Sequence, residues 1–176
     1  NGDQTNSVGP RANIGNTQRI RGLGNPDKTR NFFKTSIPFD SYNTTRVDIN
    51  RGANSFLFGL GSPAGLVNAN LKTALFQDMG EISVRIGEGG EHPSSRISLD
   101  YNKELVEDVL AIRFAALFND TQFRQKPTFY EDERFYTALT YKPFENTTFR
   151  AHYETVETDA NPADVLLPQE NLSMFL

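Results

Sequence analysis

The chain contains no cysteine among its 176 residues. This excludes a disulfide framework, a thiolate metal site and a cysteine nucleophile. Histidine is nearly as scarce: His92 and His152 are the only two, far apart in sequence, so a zinc site finds no ligand spacing. An excess of positive charge is also missing. Eighteen Lys and Arg stand against 22 Asp and Glu, a formal charge of −4, and no basic run interleaves with aromatics, which argues against a nucleic-acid partner. No apolar run approaches the roughly 20 residues of a membrane helix, and the mean hydropathy is −0.53. A β-barrel would look equally polar, because only alternate residues face lipid. Helical membrane proteins are therefore excluded and barrels are not.

What is present divides into two grammars. Residues 1 to about 75 are rich in Gly, Asn and Thr with short apolar runs, whereas later residues repeat a strand–turn–strand pattern. The shift predicts a boundary between Ala74 and Gly80. In the second half, five runs alternate strictly. Ile82, Val84 and Ile86 share one face; Ile97, Leu99 and Tyr101 follow, then Leu110, Ile112, Phe114, Ala116 and Phe118. Phe135, Leu139 and Tyr141 oppose Tyr136, Thr140 and Lys142, and Phe149, Ala151 and Tyr153 oppose Arg150, His152 and Glu154. An antiparallel meander is expected. Its connections alternate: Gly-rich over 88–94, tight near 104–108, long over 120–132, tight near 143–146, and long again from Glu157. Short and long loops in alternation suit a membrane barrel with short inner turns and longer external loops. Tyr101, Phe118, Tyr141, Phe144 and Tyr153 are candidates for the two membrane interfaces. Five strands cannot close a membrane barrel, whose smallest forms have about 8, so a barrel would need further strands.

The first half carries a more specific stretch, Arg46-Val47-Asp48-Ile49-Asn50-Arg51-Gly52-Ala53-Asn54-Ser55-Phe56-Leu57-Phe58-Gly59. It reads as a strand with Val47 and Ile49 inward, a turn at Gly52, one or two helical turns, and a stop at Gly59. The loop Gly61-Ser62-Pro63-Ala64-Gly65 leads into a second strand from Leu66 to Lys72. Together with Ile20-Arg21-Gly22, Asn31-Phe32-Phe33 and Pro38-Phe39-Asp40-Ser41, this resembles the plug of TonB-dependent outer-membrane receptors. Ala53 stands where that family usually has Pro, and Ala69 where a bulkier aliphatic is common. The resemblance covers essentially the whole chain, because the run from Asp78 resembles the family's opening barrel strands.

The resemblance implies a mixed α+β plug segment over 1–76, followed by antiparallel transmembrane β-barrel strands over 77–176. The chain is then an internal piece of a larger plugged barrel in the outer membrane of a Gram-negative bacterium. The function implied is energised uptake of a large scarce solute such as a siderophore, cobalamin or oligosaccharide. TonB, outer-membrane lipid and the solute are the implied partners; no cofactor and no metal site are implied. Aromatic and basic residues expected to meet solute are Phe32, Phe33, Phe39 and Tyr42, with Arg124 and Tyr130 in the long loop. Residues carrying the plug motif, and expected to lock it, are Arg21, Gly22, Arg46, Asp48, Arg51, Gly52, Gly59 and Gly65.

Other signals carry less. Residues 59–65 lack the Gly-Lys-Ser/Thr ending of a phosphate loop, and Glu131-Asp132-Glu133, expected in an external loop, has no EF-hand spacing. Serine lacks the Gly-x-Ser-x-Gly elbow, and nothing argues for catalysis. A rival reading is a soluble all-β binding or adhesion module. It requires the faces of Ile82/Val84/Ile86 and Leu110/Ile112/Phe114 to pack on a second sheet of the same chain.

Overall fold

A computed structural model of the chain describes residues 26–50, 65–88, 92–124 and 128–161. Arg21, Gly22, Arg51, Gly52, Gly59 and the helical turns expected over 53–58 lie outside the described residues.

Among the described residues, nine strands form two sheets. The first is mixed, in the order β2-β1-β4-β3, from β1 (Asp27–Arg30), β2 (Phe33–Lys34), β3 (Thr44–Asn50) and β4 (Leu66–Leu71). β1 runs parallel to β4 and antiparallel to β2, while β3 is antiparallel to β4. The second is an antiparallel meander in chain order, from β5 (Met79–Gly87), β6 (Ser94–Val106), β7 (Leu110–Gln122), β8 (Phe129–Phe144) and β9 (Thr147–Asn161). The expected meander is thus observed, with connections over 88–93, 107–109, 123–128 and 145–146. The connection expected over 120–132 is shorter, because pairing continues past the last outward apolar residue of β7 from Asp120↔Glu131 to Gln122↔Phe129. Alternating hydrophobicity marks the apolar part of a strand, whereas backbone hydrogen bonding continues through polar residues.

Two turns in the first sheet have local causes. Gly65 takes φ 103° immediately before β4, and its carbonyl accepts the Asp27 amide at 3.0 Å, so the backbone bends where β1 must dock alongside. Asn31 and Phe32 join β1 to β2 as a two-residue turn with φ 47° and 69°. A phenylalanine in left-handed conformation costs about 1–2 kcal/mol. It is held there by its amide donating to Asn68 Oδ1 at 2.7 Å, beside the Asn31 amide donating to the Ala69 carbonyl at 2.9 Å.

Val47 and Ile49, expected inward, are instead exposed at 46% and 54%. The half-buried face of β3 carries Asp48, whose Oδ2 accepts from Asn70 Nδ2 at 2.6 Å. Asn70 in turn accepts from Asn68 at 3.2 Å. A polar ladder across β3 and β4 therefore sets which way β3 faces.

The second sheet is inside out relative to a soluble sandwich. Its polar face is the buried one: Asn102, Arg113, Asp132, Arg134 and Thr140 are all buried on it. Between this face and the first sheet lies a small core of Tyr42, Ala115, Leu117, Tyr136 and Ala138, with Leu71 packed against it. The opposite face carries Ile82, Val84, Ile86, Ile97, Leu99, Tyr101, Phe114, Phe118, Phe135, Leu139, Tyr141, Phe149 and Tyr153, every one more than a third exposed. Their contiguity follows from the register, and Phe118–Phe135 and Tyr141–Phe149 make ring contacts at 5.5 and 6.4 Å. Among the described residues no second sheet covers this face, contrary to what the soluble-module reading requires.

This apolar band crosses the sheet obliquely. Its limits are 82–86 on β5, 97–101 on β6, 110–118 on β7, 135–141 on β8 and 149–153 on β9. The pairing row through Val84, mid-band on β5, continues through Ile97, Phe118, Glu133 and Glu157. Those residues stand two, four, five and six positions from the band centres at 99, 114, 138 and 151. Six residues at about 3.3 Å each, against four strand spacings of about 4.8 Å, give a tilt of about 45°. Strands of membrane barrels tilt by about 35–45°.

Candidate functional site: the contact between the two sheets

The link from β4 to β5 is extended, and its carbonyls find no strand partner. Side chains of the second sheet take them instead. Tyr136 Oη donates to the Lys72 carbonyl at 2.5 Å, Arg113 Nη1 to Thr73 at 3.1 Å and Thr140 Oγ1 to Ala74 at 2.8 Å. Asn102 Nδ2 donates to Leu75 at 2.8 Å and to Gln77 at 2.5 Å, and its Oδ1 accepts the Leu75 amide at 2.9 Å. Four consecutive carbonyls are satisfied in this way, as buried backbone requires. Asp78, at the end of the link, accepts the Glu104 amide at 3.0 Å and pairs with Lys103.

Above this link lies an ionic cluster. Asp100 takes both Arg113 (2.7 and 2.6 Å) and Lys72 (2.8 Å). Arg134 pairs with Asp132 at 2.7 Å, and Thr158 donates to the other oxygen of Asp132 at 2.9 Å. The Pro38 carbonyl accepts from both Arg134 (2.8 Å) and Arg30 (2.9 Å). Arg30 pairs with Glu154, and Tyr42 Oη donates to the same carboxylate at 2.7 Å. Both members of the Arg30–Glu154 pair have side chains under a tenth exposed. Arg96 reaches Asp40 Oδ1 at 2.6 Å, an oxygen that also accepts the Tyr42 amide at 2.9 Å.

The cluster sets its own protonation. Burial pushes the Tyr42 phenol well above its usual value, so it remains a donor to Glu154. Burial also lowers the Arg30 guanidinium, which nevertheless stays charged at any physiological pH. For Asp40, burial acts to raise the carboxyl, but the Arg96 hydrogen bond, the Tyr42 amide and the charges of Arg96 and Arg134 outweigh it. The carboxyl therefore sits below the ordinary carboxylate range. A depressed carboxyl contributes stability that is complete above its unfolded value of about 3.9 and lost as pH falls through the lower folded value. The contact of the 38–42 turn with β6 should then be unchanged from pH 7 to 5 and weaken only below about pH 4. Amide exchange at Tyr42 over that range checks this, and Asp40→Asn should remove the pH dependence.

The residues expected from sequence fall in different places. Tyr42 is buried in the cluster, not displayed. Phe32 and Phe33 sit at the β1–β2 turn, and Phe33 is 79% exposed. Asn31 beside them lies 3.1 Å from His152, one residue from the band centre on β9, so this turn stands at mid-height of the sheet. Phe39 lines a shallow pocket of about 370 Å³ with Thr45 and Val47. Arg124 pairs in the open with Glu88 at 2.8 Å, and Tyr130 is half-buried on β8. Arg46 pairs with Asp48 of its own strand at 2.9 Å, not with the second sheet. Glu131-Asp132-Glu133, expected in a loop, belongs to β8. Alternation turns Asp132 inward onto Arg134 and leaves its neighbours exposed. Arg30, Arg96, Arg113, Arg134 and Glu154, which carry the contact, were not singled out by sequence. Their one signal was parity, each standing on the polar face of an alternating run or, for Arg30, within a short strand.

No family model matches the sequence. Solved structures do, and over most of the chain. The siderophore receptor PiuA from Acinetobacter baumannii superposes on 83% of it with TM-score 0.71 and 24% identity. Over that length the fold is that of the matching part of PiuA. The ferric-catecholate import receptor Fiu from E. coli K12 matches 77% of the chain, with TM-score 0.67 and 17% identity. The ferripyoverdine receptor of the outer membrane of Pseudomonas aeruginosa matches 84%, with TM-score 0.65 and 18% identity. The chain spans 21% of PiuA, 21% of Fiu and 23% of the ferripyoverdine receptor, so it corresponds to under a quarter of each.

Proposed function

We propose that this chain is part of a TonB-dependent receptor that takes up a ferric siderophore across the outer membrane of a Gram-negative bacterium. The observation that carries this reading is the inverted second sheet. Its polar face is buried against the first sheet, its apolar face is bare, and the bare band runs at about 45° to the strands, as a tilted barrel wall in lipid requires. In this reading residues 1–76 belong to the plug and residues 77–176 to the wall. The longer connections over 88–93 and 123–128 then face outward and the shorter ones face the periplasm. The first sheet fills the lumen, and TonB acts on the plug through a segment that this sequence does not reveal. Exposed Phe32 and Phe33, Phe39 beside its pocket, Arg124 and Tyr130 are the expected contact residues that remain available to solute, whereas Tyr42 is buried. Arg46 and Asp48 then serve the plug's own sheet.

Iron-limited cells settle the reading. Deleting the gene is expected to reduce uptake of iron-55 delivered as the cell's own ferric siderophore by tenfold or more. Collapsing the proton gradient in wild-type cells should do the same. Unchanged uptake in the deletion strain, with the protein recovered from the soluble fraction, would overturn it.

A further inference from the structure

The first sheet does not meet the second evenly. Against β7, β8 and β9 it is packed through Tyr42, Leu117, Tyr136 and the ionic cluster. Against β5 and β6 it leaves a gap of about 450 Å³. Hydroxyls of Ser41, Thr44 and Thr45 line one side, and Ser83 and Ser98 the other. Two ion pairs cross the gap, Arg96–Asp40 and Lys72–Asp100.

Two like-charge pairs stand in the wall of this gap: Glu81 opposite Asp100, whose charge Lys72 and Arg113 take up, and a pair of arginines. Arg85 of β5 and Arg96 of β6 are direct cross-strand partners, and both line the gap. Like charges directly opposed on one face of a sheet destabilise it. Arg96 is neutralised by Asp40, but Arg85 has no carboxylate partner among the described residues. The next pair, Ser83↔Ser98, is small and can donate two hydrogen bonds.

We propose that Arg85 and Arg96, with the hydroxyls of Ser83 and Ser98, form a binding site for an anionic oxygen group, a carboxylate or catecholate oxygen of the solute. The group enters between the guanidinium planes and takes Arg96 from Asp40. Guanidinium forks bind such groups in bidentate geometry. When Asp40 leaves Arg96, the 38–42 turn loses its tie to β6, so arrival of the anion loosens the first sheet on the side where the gap already lies. The site rests on the transport reading for its solute, while its anion chemistry does not depend on transport.

Citrate, a tricarboxylate, serves as the probe. The whole receptor, purified in detergent, is titrated calorimetrically with citrate at ionic strength matched with chloride. Arg85→Ala should weaken citrate binding about tenfold, and Arg85→Lys should weaken it less. Asp40→Asn removes the competing charge but keeps an oxygen for the Tyr42 amide, and it should tighten binding several-fold. A residue needed only for structure would not give this opposite pair of effects. Citrate affinity unchanged by Arg85→Ala, or unchanged or weakened by Asp40→Asn, would overturn the site. Loss of the transport reading with both effects intact would leave the anion site standing.

Discussion

Replacing Glu154 by alanine in the whole protein is expected to raise amide exchange across β1 and β4 by about a hundred- to several-thousand-fold. Glu154 is the carboxylate to which Arg30 pairs and to which Tyr42 donates at 2.7 Å. Without it, Arg30 keeps, among the described residues, only the Pro38 carbonyl, a site it already shares with Arg134. The guanidinium cannot lose its proton to escape the cost. Removing one partner of a buried pair costs roughly 3–5 kcal/mol, mostly because the other charge is left behind. At about 1.4 kcal/mol per decade this gives the expected range. The loss concerns docking of the first sheet, so β7 and β8, held by their own register, should exchange at unchanged rates. Glu157→Ala is the control, since Glu157 lies on the same strand with its side chain exposed on the other face. Unchanged exchange in β1 and β4 would mean that Arg30 and Glu154 do not hold the two sheets together.

The second sheet was largely legible from sequence, and the contact was not. Alternation fixes parity, so Ile82, Leu99, Phe114, Leu139 and Tyr153 could be placed on one face and Arg113, Tyr136 and Glu154 on the other before any coordinates. Parity does not say which face is buried, and the usual rule would bury the apolar one. Here the rule is reversed because the first sheet supplies a polar partner: carbonyls of the link, the Pro38 carbonyl, Asp40 and Lys72. These partners come from irregular backbone whose geometry has no period in sequence. The same limit explains β3. Val47 and Ile49 look like an inward pair by hydrophobicity, yet the Asn68–Asn70–Asp48 ladder turns the strand over. Where side-chain hydrogen bonds to a neighbouring strand compete with apolar burial, hydrophobic pattern alone misreads the face.

Three residues of one pairing row should respond differently to the same substitution. Val84, Phe118 and Glu133 are joined through consecutive strands and all face outward. In a soluble sheet they are equivalent neighbours, and arginine at each would have similar, small effects. In a tilted wall they differ in depth. Val84 is central to the apolar band on β5, Phe118 ends it on β7, and Glu133 lies beyond it on β8. At a tilt of about 45°, the four residues from Phe114 to Phe118 lift the side chain by roughly 9 Å toward the interface. Arginine facing lipid costs about 2–4 kcal/mol at the midplane and about 0–1 near the interface. Val84→Arg should therefore reduce folding stability of the whole protein in lipid by about 2–4 kcal/mol, Phe118→Arg by clearly less, and Glu133→Arg by about 1 or less. Urea titrations in lipid vesicles measure all three. Equal effects would remove the depth gradient, and with it the argument that the apolar band of this sheet is the lipid-facing belt of a barrel.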